Sequence, residues 1–102
     1  MTDRGWWSRL TRARDRARTT ERVACPCCGF LTLPDRDMFE LCPVCFWEDD
    51  GQDDADAEVV RGGPNGPLSL AQARDNYLAF GACERAFLGQ VRAPWRHERA
   101  GQ

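Results

Sequence analysis

Apolar positions along this chain follow three different spacings. In residues 1–22, Trp6, Leu10, Ala13 and Ala17 recur at steps of four, three and four, which predicts one face of a helix with arginines opposite. From residue 23 to 47 the apolar stretches shorten. Val23–Ala24, Phe30–Leu33 and Phe39–Leu41 read as strands, and Pro34-Asp35-Arg36-Asp37 turns the second into the third. Helical spacing returns at Leu70, Ala73, Tyr77 and Phe80. Ser69 stands at the N-cap with Gln72 placed to complete a capping box, and Gly81 is the C-cap. A second short helix is predicted over Cys83–Val91, with Phe87, Leu88 and Val91 turned inward and Pro94 ending it. Trp95–Gln102 reads as a loose tail in which only Trp95 packs. The predicted core is Phe30, Leu33, Phe39, Leu41, Phe46, Trp47, Leu70, Tyr77, Phe80 and Phe87.

These regimes divide the chain into a basic segment over 1–22, a compact domain over 23–93 and a tail over 94–102. At 102 residues, 42% hydrophobic and 29% charged, the whole is one small soluble domain. Its core is modest for its surface, so a metal staple would help it. No apolar run has the length of a membrane span, and arginines interrupt the N-terminal apolar positions where a secretory signal would need them continuous. The expected compartment is the cytoplasm, where thiols stay reduced. All 14 basic residues are Arg, a bias expected of a GC-rich bacterial genome. The formal charge of −2 conceals polarity. Residues 1–22 hold seven Arg against Asp3, Asp15 and Glu21, whereas residues 48–58 hold seven acids and no base.

Six cysteines in a reducing compartment point to metal before disulfides. Cys25-Pro26-Cys27-Cys28-Gly29 and Cys42-Pro43-Val44-Cys45-Phe46 are both C-P-x-C turns, separated by 13 residues. Such a turn presents two thiolates to one ion while backbone N–H groups offset the charge on sulfur. Two turns together make the tetrahedral sulfur site that zinc prefers. The expected ligands are therefore Cys25, Cys28, Cys42 and Cys45, holding one structural zinc. Rubredoxin-like iron uses the same four-sulfur geometry and is the less favoured metal. Gly29 suits the left-handed conformation that closes a knuckle. Phe46 occupies the matching place in the second turn, where positive φ costs on the order of 1–2 kcal/mol. Either that turn closes differently or Phe46 gains packing. The fold class that follows is α+β: a small zinc-ribbon-like β unit with two knuckles, packed against two C-terminal helices. Cys27 could replace Cys25 or Cys28, or serve as a redox thiol. Cys83 reads as a small buried apolar residue.

At these residues the sequence resembles the cysteine-rich CPCC domain family. The resemblance continues past the second knuckle through Trp47-Glu48-Asp49-Asp50-Gly51 and Arg61-Gly62-Gly63-Pro64-Asn65-Gly66. It then takes in Ser69-Leu70, Ala73-Arg74, Tyr77 and Phe80-Gly81-Ala82, and so covers about residues 23–92. It implies a metal-binding domain and supplies no catalytic residue.

Other features are weaker. The acidic segment from Trp47 to Glu58 could take a divalent cation, but lacks the EF-hand spacing. It reads better as a solvated loop pairing with arginines such as Arg61 and Arg74, or as a face for a basic partner. The Arg-rich N-terminus reads first as a frayed or solvated terminal helix, or one that docks Trp6 and Trp7 on the domain itself; it could instead bind nucleic acid by releasing phosphate counterions or lie on an anionic membrane. Arg61 to Pro67 lacks the ending of a phosphate-binding loop and reads as a turn. No Cys–His or Ser–His–Asp arrangement is visible, and the single His97 lies in the tail. The expectation is a non-enzymatic protein-interaction module. Nucleic-acid binding through residues 1–22 and an iron or thiol redox role are the alternatives.

Overall fold

The computed structural model describes residues 21–99, so the predicted N-terminal helix lies outside the described residues. Strand β1 (Val23–Ala24) pairs antiparallel with β2 (Leu31–Leu33). The register steps from Val23↔Leu33 to Ala24↔Leu31, which leaves Thr32 as an extra residue in a bulge. The expected third strand over Phe39–Leu41 is reduced to a single bridge, Leu41↔Glu48. The reason is local: Asp37 and Phe39 both take positive φ, 58° and 55°, which extended pairing does not allow.

Helix α1 (Leu70–Phe80) starts and stops where its caps predict. Ser69 Oγ accepts the Gln72 amide at 3.0 Å. The reciprocal half of the capping box is not made; the Gln72 side chain donates to Asn76 instead. Gly81, at φ 91°, donates its amide to the Tyr77 carbonyl and ends the helix. The second C-terminal helix is a 3-10 helix over Arg85–Gln90, not an α-helix. Its approach is set by the Cys83 amide, which donates to the Cys45 carbonyl at 2.8 Å, and Glu84 offers no side-chain cap.

Leu33, Val44, Trp47, Leu70 and Ala73 form the buried core together with the cysteines, and Phe30, Phe46, Tyr77 and Phe87 pack against it half-buried. Three expected core residues are placed differently. Phe39 and Leu41 are exposed, carried out by the positive-φ loop. Phe80 is half-buried beneath the Arg85 guanidinium, 4.4 Å from the ring centroid. Leu88, expected inward, is exposed, because a six-residue 3-10 helix turns only one of its apolar residues, Phe87, to the core. The region expected to be a loose tail is anchored as far as Arg99. Residues Arg96–Glu98 form a 3-10 turn. Buried Glu98 accepts both Arg92 guanidinium nitrogens at 2.8 and 2.9 Å, as well as the Trp95 amide. Trp95 itself stays exposed, with Arg92 stacked 3.6 Å from its ring centroid. Among the described residues, no helix is long and apolar enough to cross a membrane.

Candidate metal centre

The two C-P-x-C segments fold into the same knuckle. In the first, the Cys25 amide donates to the Phe30 carbonyl (2.9 Å) and the Gly29 amide to the Cys25 carbonyl (2.8 Å). In the second, the Cys42 amide donates to the Trp47 carbonyl (3.0 Å) and the Phe46 amide to the Cys42 carbonyl (2.8 Å). In each, the amide two residues after the first cysteine points at its sulfur: Cys27 to Cys25 Sγ and Val44 to Cys42 Sγ, both at 3.4 Å. The flanking pairs match as well, Ala24↔Leu31 against Leu41↔Glu48. Each of these bonds and pairs of the first knuckle recurs 17 positions later.

Placed face to face, the knuckles bring Cys25, Cys28, Cys42 and Cys45 sulfurs within 4.8 Å of one another. Cys25 to Cys45 and Cys28 to Cys42 are each 3.7 Å. A tetrahedron of metal–sulfur bonds of about 2.3 Å has edges of roughly 3.8 Å, so these contacts fit four ligands around one ion. All six cysteines are free thiols. The four are arranged to hold a metal ion, and their all-sulfur chemistry suits zinc or iron. Among the described residues this is the only cluster of three or more His, Cys, Asp or Glu side chains disposed to hold one.

The electrostatics call for a cation. Left to themselves, the thiols compete for protons. Hydrogen bonds from Cys25, then Cys28 and Cys45, hold Cys42 far below the usual thiol range. Cys28 is pushed well up by its bond with Cys25, then Cys42. Cys45 rises further, through Cys25 first and then Cys27, Cys28 and Cys42. Thiolates at such separations need a positive ion between them before all can ionise.

Thr32 belongs to the site, although the cysteine spacing does not point to it. Its Oγ1 lies 3.0 Å from Cys42 Sγ, and the residue is buried. A thiolate at Cys42 would accept this hydroxyl. The bulge in β2 turns Thr32 toward the sulfur; Leu31-Thr32-Leu33 in sequence reads only as an alternating strand. Two arginines also brace the knuckles. Arg74 Nε on α1 donates to the Pro26 carbonyl (2.8 Å), and the Arg92 amide donates to the Pro43 carbonyl (3.2 Å). Cys27 and Cys83 stand outside the ligand cluster and are both buried. Burial pushes the Cys83 thiol up to about 12.

Beside the centre, the acidic segment is folded against arginines. Arg61 pairs with Asp56 and Arg74 with Asp54, as expected. The organising pair is a third one, Arg36 with fully buried Asp49, at 2.7 Å. Asp49 also accepts the amides of Asp37 (2.8 Å) and Gly51 (3.1 Å). Burial pushes the Asp49 carboxyl up, but Arg36 and these amides outweigh it and hold it below the usual carboxylate range.

Fold and centre together define a small cysteine-rich domain in which two knuckles converge on one candidate metal site. The family model described as "Cysteine-rich CPCC" matches residues 23–98, and the chain belongs to that family. No curated protein and no solved structure matches it.

Proposed function

We propose that this chain is a small protein-interaction module organised around one structural zinc ion. The observation that carries the reading is the donor set: four cysteine sulfurs from two knuckles, within 4.8 Å, three of them on buried residues. Four protein thiolates complete a tetrahedral shell and leave no place for water or substrate, which is the mark of structural zinc sites. Cys25, Cys28, Cys42 and Cys45 would hold the ion. The amides of Cys27 and Val44, with Thr32 Oγ1, would offset sulfur charge. Zinc bound there supplies folding energy. On this reading the β unit is zinc-ribbon-like, the chain works in the cytoplasm, where six free thiols persist, and it carries no catalytic residues.

A groove of about 520 Å³ between the acidic segment and α1 supports the interaction reading. Ala57, Val59, Ala71, Glu58 and Asp75 line it, with Asp54 and Asp56, which Arg74 of the same lining and Arg61 already pair. A basic partner segment suits Glu58 and Asp75 by charge. Nucleic-acid binding falls on residues 1–22, most of which lie outside the described residues.

The test is metal analysis with thiol counting on the purified full chain. One equivalent of zinc is expected, with no thiol alkylated before chelation and all six of the chain's thiols afterwards. Iron with a visible absorption band would replace the reading with electron transfer, and a metal-free folded protein would end it. For the interaction half, a Glu58→Arg/Asp75→Arg variant is expected to keep its metal and lose the basic partners captured by the wild type.

A further inference from the structure

The loop from Arg36 to Leu41 displays apolar side chains on a braced and unfavourable backbone. Met38, Phe39 and Leu41 are 62%, 56% and 46% exposed. Phe39 takes φ 55°, a conformation that bulky residues rarely adopt. The loop does not collapse onto the core because it is clamped. Arg36 bonds Asp49 and Asp53, and the Asp37 and Phe39 amides donate to the side chain and backbone of Asp49. The Asp37 carboxylate lies so close over Gly51 that a Cβ there would meet it at 2.6 Å. Apolar side chains held outward in this way mark a contact surface. Asp35, Asp37 and Glu40 alternate with them along the loop, and the one cation there, Arg36, is engaged by Asp49 and Asp53.

We infer that this loop is the docking surface for the chain's own residues 1–20. The complement is in the sequence: Trp6, Trp7 and Leu10 are interspersed with arginines, so apolar groups would meet Met38, Phe39 and Leu41 while guanidinium groups meet the loop's acidic residues. Because β1 and β2 are antiparallel with Val23 opposite Leu33, Glu21–Arg22 enter the ribbon at the end from which Pro34–Asp35 leave it, so residues 1–20 are tethered next to this loop. Connection through the same chain makes the encounter intramolecular, so weak individual contacts suffice. The inference goes beyond the zinc-module reading and does not depend on which metal is bound.

Trypsin provides the test on the metal-loaded full chain, since residues 1–20 contain six Arg and cleavage tracks the undocked population. A Met38→Ser/Phe39→Ser variant is expected to be cut after Arg9, Arg12 and Arg14 about tenfold faster than the wild type. Wild-type protection should be independent of protein concentration and lost at high salt. Equal rates would overturn the inference. So would protection that rises with concentration, which means a second copy, or protection removed by Glu58→Arg/Asp75→Arg, which places the segment in the acidic groove. Phe39→Gly guards against misfolding, because glycine accepts the observed φ; it should keep metal and melting temperature while protection falls. A second readout is the Met38 methyl resonance, one of two methionine signals. It should shift in Trp6→Ala/Trp7→Ala, and an unmoved signal overturns the inference.

Discussion

The two knuckles share a backbone and differ in what supports it. The first closes on Gly29 at φ 83°, with open space where a Cβ would stand. The second closes on Phe46 at φ 71°, a conformation that costs a bulky residue on the order of 1–2 kcal/mol. Of the two outcomes considered for Phe46, the structure takes the second. The hydrogen bonds match those of the glycine knuckle, and the Phe46 ring lies 4.8 Å from that of Phe87. The aromatic residue that follows each knuckle differs too: Trp47 is fully buried, whereas Phe30 is half-buried and edge-on to Tyr77 at 6.4 Å. The equivalent residues Thr32 and Asp49 also diverge. Thr32 crosses to the other knuckle's sulfur, and Asp49 turns away to Arg36. The turn that a thiolate pair requires is thus set by local hydrogen bonds, and each copy meets its strain and burial with different tertiary partners.

The harshest way to break the comparison is to remove one sulfur from each side. Cys28→Ser and Cys42→Ser should both lose the metal and the cooperative unfolding transition, because metal binding and folding are linked. Elemental analysis and near-ultraviolet circular dichroism check this. A Cys42→Ser protein that keeps both its metal and its melting temperature would show the ligand set to be wrong.

The next effect separates strain from packing at Phe46. Phe46→Ala keeps the unfavourable φ and loses the Phe87 contact, so denaturant unfolding of the metal-loaded protein should register a loss of about 2–3 kcal/mol. Phe46→Gly loses the same contact but relieves the strain, and should be about 1–2 kcal/mol less damaging than Phe46→Ala. Equal losses would mean that the second knuckle bears no strain.

Thr32→Val should weaken metal affinity about 10–100-fold with little change in fold, the usual scale for losing a hydrogen bond to a ligand. Competition with a chromophoric chelator measures it. No change would confine Thr32 to packing. In the first knuckle, Gly29→Ala should cost about 1 kcal/mol despite the open space, because the cost lies in the backbone and not in a clash.

The smallest expected effect is the pH dependence contributed by Asp49. Its folded pKa is depressed, so its contribution is complete above the unfolded carboxylate value, about 4, and is lost as pH falls through the folded value. Arg36 is partly exposed, which limits the effect to about 1 kcal/mol. Asp49→Asn retains all four cysteines, so acid release of the metal affects both proteins alike. The stability difference between them should hold at neutral pH and narrow below about pH 4. A difference that is constant with pH would show that Asp49 acts only through shape.

The sequence by itself determined the elements whose causes are local. Ser69 and Gly81 bound helix α1 because caps act on their own turn. The two C-P-x-C turns are legible because spacing alone places two sulfurs on one side of a tight turn, and the four that the structure gathers are the four that the spacing selected. Only tertiary structure decided the rest. Whether Phe39 and Leu41 are buried depends on Asp49, ten and eight residues further along the chain, gripping Arg36 and the loop amides. Thr32 reaches sulfur through a bulge that leaves no mark in an alternating Leu-Thr-Leu stretch. Arg92 and Glu98 fix the expected tail by a pair that exists only once the folded chain has buried Glu98 beneath the Arg92 guanidinium. Spacing encodes contacts within a turn, whereas contacts between turns depend on the packed whole.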